Sequence, residues 1–407
     1  MLKQLLFTVL LGASILFFCS DNEKNTTETP TQEPQLQKKS LMVEKNGLFG
    51  IDLLQKINEI KPEENIVISP LSASIALGMA LNGADTETYD EIKQILHFDD
   101  LTNQEINDIY YYLLTTLPNL DPKTFVNITN SAWYHQGSVI EDHFISTVEK
   151  SFSAEIKEAD FTNPGTVDLI NQWIESNTDN KIKNMLDQIP ANTILYLINT
   201  ILFKGQWTYQ FDKELTKEGQ FYNERNRQVN CSYMVQSNQF EQIKHEDVTG
   251  VRLPYGNGKY SMVFLLPKDD DMNSFIENLS YDKWQEYINC IITDTGYIEI
   301  PKFKTEYKTL LNDPLKSLGM TRSFTDGADF SRISKVHDLF ISRVIHQTVV
   351  EIDEEGTEAA GATIIEFREK SENIFMLFLN RPFLFAITEN DSNSILFLGK
   401  IGNPASN

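Results

Sequence analysis

From about Val43 the apolar residues recur at mixed helical spacings. Val43, Leu48, Phe49, Ile51, Leu53, Leu54 and Ile57 predict an amphipathic first helix. Ser72 to Leu96 carries the pattern on through Ile75, Leu77, Met79 and Leu81, breaks at Gly83, and resumes as a second helical run from Thr86. The period then changes. Residues 194–203, 251–253, 260–266, 297–300, 340–352 and 395–398 are short runs rich in β-branched and aromatic side chains, bounded by Gly, Pro, Asp or Asn, and predict strands. Several are apolar on consecutive residues, which predicts burial on both faces. Helices first and strands later predict an α+β fold with sheets covered by helices.

Ahead of this pattern lies a segment of another kind. Lys3 precedes Leu5–Phe18, a mostly apolar run that suits the core of an export signal and falls short of the about 20 residues of a membrane span. Small residues are missing from the usual cleavage positions. Cys19 stands where a lipoprotein carries its acylated cysteine, although Phe18 replaces the small residue expected before it. Two readings stay open: lipid at Cys19, or a signal or uncleaved anchor with an incidental Cys. Ser20–Ser40 is rich in Thr, Glu, Gln, Asn and Pro and reads as a flexible tether, since so few apolar groups cannot offset the entropy of ordering it. From about Leu41 onward there is no internal repeat and no second linker.

Composition narrows the classes. The chain has 407 residues, 35 Lys plus Arg against 58 Asp plus Glu, and a formal charge of −23. That balance argues against a nucleic-acid partner, which needs clustered cations to displace counterions from phosphates. Apolar residues at 41% and charged residues at 23% fit a soluble globular protein and exclude a membrane bundle. Cys19, Cys231 and Cys290 are too scattered for a disulfide framework or a zinc site, and the 6 His show no metal spacing. Asp269–Asp271 lacks the alternating ligands and the glycine of a calcium loop. There is no GxSxG, HExxH or GxxxxGK[ST], and Gly256-Asn257-Gly258 lacks the third glycine of a dinucleotide loop. Each absence removes a common enzyme class and only a dispersed triad stays open, so the expectation is a protein that is not an enzyme and has no cofactor and no metal.

One stretch behaves differently. Glu354-Glu355-Gly356-Thr357-Glu358-Ala359-Ala360-Gly361-Ala362-Thr363 is a run of mostly small residues without Pro, set between β-rich 349–352 and polar 366–373. Taken alternately, Thr357, Ala359, Gly361, Thr363, Ile365 and Phe367 form an uncharged set that could face a core, and Glu358, Ala360, Ala362, Ile364, Glu366 and Arg368 form the other. Such a segment can be a loop in one state and a strand in another. The plainer alternative is a permanent strand with a Gly-rich start.

The stretch resembles the hinge of inhibitory serpins, and further motifs agree. Asn65-Ile66-Val67-Ile68-Ser69-Pro70-Leu71-Ser72 is similar to the approach to that family's second helix. Residues Asn199 to Trp207 resemble the third strand of its central sheet. Phe324–Ser331, Leu379–Phe385 and Phe397–Pro404 complete the set in family order, so the resemblance covers about Leu41 to Pro404.

It implies one domain over residues 41–407, with three β-sheets, eight or nine helices and an exposed reactive loop. It also implies a monomeric suicide substrate of serine proteases, exported and either lipid-anchored at Cys19 or free outside the cell. Its cleaved loop inserts into the central sheet and traps the acyl-enzyme. Counting from Gly356 in the family manner puts the reactive bond at Lys370–Ser371, which a trypsin-like protease would cut. Arg368 is the alternative, Phe367 would suit chymotrypsin-like enzymes, and counting back from Pro382 shifts the site by one residue. Ser69, Ser72, Asn199 and His346 match the family's shutter, a hydrogen-bonded group beneath the central strands. Trp207, Lys302 and Glu354 match its breach, where the loop enters. The alternative is a non-inhibitory serpin acting as a binding or storage protein, which a bulky or Pro-containing hinge would have favoured.

Overall fold

The computed structural model describes residues 32–357 and 374–406. The chain begins with α1 (Gln32–Ile60), β1 (Ile66–Ile68), α2 (Pro70–Gly83), α3 (Thr86–Ile95) and α4 (Asn103–Thr116). β2 (Thr124–His135), α5 (Asp142–Phe152), β3 (Ala154–Ala159) and α6 (Gly165–Asn177) lead to β4 (Leu195–Gln206). β5 (Lys217–Tyr222), β6 (Gln228–Lys244), β7 (Val248–Tyr255) and β8 (Tyr260–Pro267) follow, then α7 (Met272–Glu277) and α8 (Tyr281–Asn289). The rest is β9 (Ile291–Pro301), β10 (Phe303–Leu310), α9 (Asn312–Ser317), β11 (Ile345–Ile352), β12 (Gly356–Thr357), β13 (Phe375–Phe378), β14 (Phe383–Glu389) and β15 (Ser394–Ile401).

Local chemistry explains the boundaries. Ser69 caps α2 by accepting from the Ser72 amide, and Pro70 follows in the first turn, where its missing N–H costs nothing. Thr102 and Glu105 close a reciprocal capping box on α4. α1 differs from expectation: it starts at Gln32 and not near Val43, so residues 32–40, read as the end of a tether, are helical. Gln, Glu, Leu and Lys are good helix formers, and Pro34 falls in the first turn. The predicted strand 340–352 is also shorter. Ile341 N–H is taken by the Ser323 carbonyl (2.8 Å) and Val344 N–H by Asn312 Oδ1 (2.8 Å), so the ladder begins only at Ile345.

Three hydrogen-bonded sheets form among the described residues. The largest has nine strands in the order β1-β15-β14-β8-β7-β6-β9-β13, with β5 also on β6. Its centre is the core: every residue of β14 and β15 is buried, as their consecutive apolar residues require. The other two sheets are β12-β4-β2-β3 and the pair β10-β11. α6 lies on one side of them, with Trp173 and Ile174 packed against Ile198 of β4. On the other side Ile201 and Phe203 of β4 join the main core with α2.

Gly205 in β4 faces Tyr255, whose ring lies flat against the strand. A Cβ at Gly205 would come within 2.8 Å of that ring. Gly205→Ala is therefore expected to lower stability by about 1–3 kcal/mol through overpacking. Urea unfolding measures it; an unchanged midpoint would mean that the ring has room to move.

Candidate functional site

The site is the gap between two sheets that should be one. β2 covers one edge of β4, and β10 covers one edge of β11. The remaining edges face each other across a cleft of about 460 Å³, lined by 195–199 of β4, Val344 and 345–347 of β11, and the α2 side chains Ala76, Leu77 and Ala80. No ladder joins β4 directly to β11 among the described residues.

At the upper end the gap has begun to fill. Gly356 and Thr357 form β12, paired antiparallel with Gln206 and Gly205. A tight turn connects it to β11, in which Asp353 and Gly356 exchange backbone hydrogen bonds at 3.1 and 3.3 Å. Gly356 has φ +136°, and a Cβ there would lie 2.2 Å from the Gly205 carbonyl oxygen, so only glycine fits. Thr357 is buried, and its hydroxyl shares a hydrogen bond of 3.1 Å with Tyr255.

Several groups hold this turn. Trp207 stacks on Tyr255 with ring centres 4.4 Å apart, donates its indole N–H to the Asp353 carbonyl (2.9 Å) and its backbone N–H to the Glu355 carbonyl (3.0 Å). Lys302 Nζ donates to both Glu354 carboxylate oxygens at 2.7 and 3.0 Å, Thr216 donates to the same group at 2.7 Å, and Lys213 pairs with Glu355. Burial pushes the Glu354 carboxyl up, but the Lys302 and Thr216 hydrogen bonds outweigh it and hold it below the usual range. Trp207, Lys302 and Glu354 thus come together, joined by Thr216, Lys213 and Tyr255.

The lower end is a different cluster. The Ser69 amide donates to His346 Nε2 (3.0 Å), the Ser69 hydroxyl donates to the Leu396 carbonyl (2.7 Å), and Ser72 N–H donates to Ser69 Oγ (3.1 Å). An Nε2 that accepts must be unprotonated, so the imidazole is neutral with its proton on Nδ1. Burial pushes its pKa down to about 4. Asn199 stands on the β4 side of the same cleft, donating to Asn130 Oδ1 (2.7 Å), and Asn130 donates to the Phe152 carbonyl (2.7 Å). Asn199 Oδ1 has no hydrogen-bond partner among the described residues. Ser69, Ser72 and His346 form one network, and Asn199 belongs to another across the gap. Asn130 was missed, because only the β2–β4 register reveals it. Glu358, Ala359, Ala360, Gly361, Ala362, Thr363, Arg368, Lys370, Ser371 and Cys19 lie outside the described residues.

A base held neutral in the native state binds its proton only on unfolding. His346 therefore contributes stability that is complete above about pH 6.5 and lost as pH falls toward about 4, amounting to at most about 3 kcal/mol. Urea midpoints at pH 7.5 and 4.5 should fall further in the wild type than in His346→Gln, which stays neutral and keeps an acceptor for Ser69. Equal falls would remove His346 from the acid response.

The comparisons with known proteins fit this geometry. The model of the family described as serpin (serine protease inhibitor) matches residues 44–404. Human serpin B3 is 34% identical over 387 residues, covering 89% of this chain and 99% of that protein. The native-state structure of tengpin, a thermophilic serpin, superposes with a TM-score of 0.82 at 31% identity, covering 93% of this chain and 96% of tengpin. Human thyroxine-binding globulin gives 0.84 at 27% identity, covering 91% and 100% of the two chains. With a split central sheet, a glycine-led strand at its upper end and a match of this extent, the chain belongs to the serpin family.

Proposed function

We propose that this serpin is a suicide-substrate inhibitor of trypsin-like serine proteases, with Lys370–Ser371 as its reactive bond, acting as a monomer exported and anchored by lipid at Cys19. The observation that carries the reading is β12, already paired to β4 at the mouth of a gap that no other described strand fills.

Extending its two registers gives the inserted strand. The β4 pairing sets Glu358 opposite Lys204, Ala359 opposite Phe203, Gly361 opposite Ile201 and Thr363 opposite Asn199. The Asp353 to Gly356 pair of the turn, extended likewise, sets Thr363 opposite His346. Both registers thus deliver Thr363 between the two lower networks, next to the unpartnered Asn199 Oδ1. Small residues meet the large core side chains of β4, and the bulkier Ile364, Ile365 and Phe367 reach the roomy apolar end of the cleft. With about ten new ladder bonds at roughly 1 kcal/mol each, insertion supplies on the order of 10 kcal/mol, comparable to the stability of a domain.

The chemistry follows. The protease serine attacks the Lys370 carbonyl, the bond to Ser371 breaks, and the Ser371 amine leaves with residues 371–407. Lys370 then remains as an ester on the enzyme. Insertion competes with hydrolysis of that ester, and strand addition on both edges carries the enzyme with it. Lys370 suits a protease whose pocket holds a buried carboxylate.

Trypsin should form a complex that survives boiling in detergent, with a released peptide beginning at Ser371. Two fragments with fully active trypsin would favour a non-inhibitory serpin, and a peptide beginning at Glu369 would move the bond to Arg368. Thr357→Arg should turn the inhibitor into a substrate. The guanidinium cannot share the buried site beside Tyr255, so insertion must desolvate it at a cost of several kcal/mol, and about 1.4 kcal/mol already slows a step tenfold. Inhibition by Thr357→Arg at wild-type stoichiometry would reject insertion from this hinge.

A further inference from the structure

The three carbonyls of the hinge turn are held by one short segment, residues 207–211. The Asp353 carbonyl accepts the Trp207 indole N–H (2.9 Å), the Glu354 carbonyl accepts the Phe211 backbone N–H (2.9 Å), and the Glu355 carbonyl accepts the Trp207 backbone N–H (3.0 Å). Inside the turn, Asp353 Oδ1 accepts the amides of Glu355 (2.8 Å) and Gly356 (3.2 Å). The start of β12 is therefore placed by donors of 207–211. That segment has no ladder of its own, since β4 ends at Gln206 and a short 3-10 turn follows only at 213–215. Irregular backbone keeps its shape through side chains that reach it from elsewhere.

The support comes from the nine-stranded sheet. Thr208 N–H donates to the Pro254 carbonyl of β7 (2.8 Å), and the buried Phe211 ring meets Trp207 edge-on with ring centres 6.2 Å apart. Between these two points, Gln236 of β6 donates through Nε2 to the Tyr209 carbonyl (3.1 Å) and to the Gln210 carbonyl (2.8 Å). A primary amide nitrogen carries two N–H donors, so the two carbonyls saturate it. The end of the carboxamide that faces two oxygens must be the nitrogen, which fixes its orientation. Gln236 itself lies opposite Ile298, inside the β6–β9 ladder that runs from Tyr233 to Ile243, so its backbone is anchored on a rigid element.

We propose that Gln236 is a positioning residue for strand insertion: by fixing Tyr209 and Gln210 it holds the Trp207 and Phe211 donors on the hinge turn and so keeps β12 on β4. The role is exerted through hydrogen bonds alone, and it rests on the insertion reading above. In that reading the new strand grows from Thr357 while the turn behind it stays. A loosened turn delays that growth and lengthens the time in which the ester on the protease can be hydrolysed. Gln236 touches neither the gap nor the turn carbonyls, and it acts on both through the segment between them.

The test uses the full-length protein with trypsin. Gln236→Met keeps the side-chain length and removes both donors without adding charge, and Gln236→Glu keeps the shape but sets a carboxylate against two carbonyls. Both variants should be cleaved at the wild-type rate, while about three- to tenfold more inhibitor is consumed per protease trapped, the order expected when one or two hydrogen bonds are lost from the competing step. Hydrogen exchange of the 207–211 amides should quicken by a similar factor. Gln236→Lys keeps the donors and should restore both values, which a residue needed only for folding would not show. Wild-type stoichiometry in Gln236→Met, with or without faster exchange, would overturn the role of Gln236 and leave insertion standing. If the wild type itself gives two fragments and active trypsin, insertion fails and the positioning role fails with it.

Discussion

Backbone groups along the facing edges of β4 and β11 set the terms for everything else in this molecule. A strand edge is a row of donors and acceptors that seeks a partner, and proteins normally cover, charge or shorten such edges. Here both edges are long, and each is backed by a complete ladder on its other side. The layer beneath, α2 with Ile201 and Phe203, and the layer above, α6 with residues 182–186, are packed around the cleft of about 460 Å³. The two end clusters hold that space at fixed width, each by a different kind of chemistry.

Their solutions to burying a titratable group are opposite. Glu354 stays charged because Lys302 and Thr216 replace the water it has lost, which ties the hinge turn to β9 and β10 through a cation. His346 stays neutral because burial disfavours the charged ring, and its Nε2 accepts the Ser69 backbone N–H. The upper end therefore holds by charge pairing and the lower end by a neutral network. Across the cleft, Asn199 Oδ1 has no partner among the described residues, which suits a group that would change partners in the proposed insertion.

Part of this was legible in the residues. The family resemblance named Trp207, Lys302 and Glu354, which meet at the upper end, and Ser69, Ser72 and His346, which meet at the lower. The alternation of small side chains past Thr357 falls outside the described residues. Other parts carried no local signal. β2 escaped the pattern because Asn127 and Asn130 interrupt its apolar alternation, and their side-chain amides donate to distant carbonyls, those of Asn177 and Phe152. Tyr255 looks like any aromatic strand residue until Gly205, fifty positions earlier, makes room for its ring. Residues 178–190 contain no motif at all, and their contacts with both sheets follow from where α6 ends, which no sequence window contains. The first helix was placed too late because a polar stretch with Pro34 reads as a linker, although a proline in a first turn leaves a helix intact.

The backbone contact between Gly356 and Gly205 also bears on kinetics. Starting a new strand is normally the slow part of sheet growth, because ends must meet and a register must be chosen before any ladder bond forms. In this chain the first rung exists before the loop is cut, and it is made between two main chains, so side-chain rearrangement cannot shift it. A slip of one residue would exchange the two faces of the hinge stretch and turn Glu358 toward the core. In the proposed insertion the pre-formed rung would exclude that error and remove the nucleation step, leaving propagation, a zipper closing from a tooth already engaged. In a race against a single water molecule, such a head start would favour the protein.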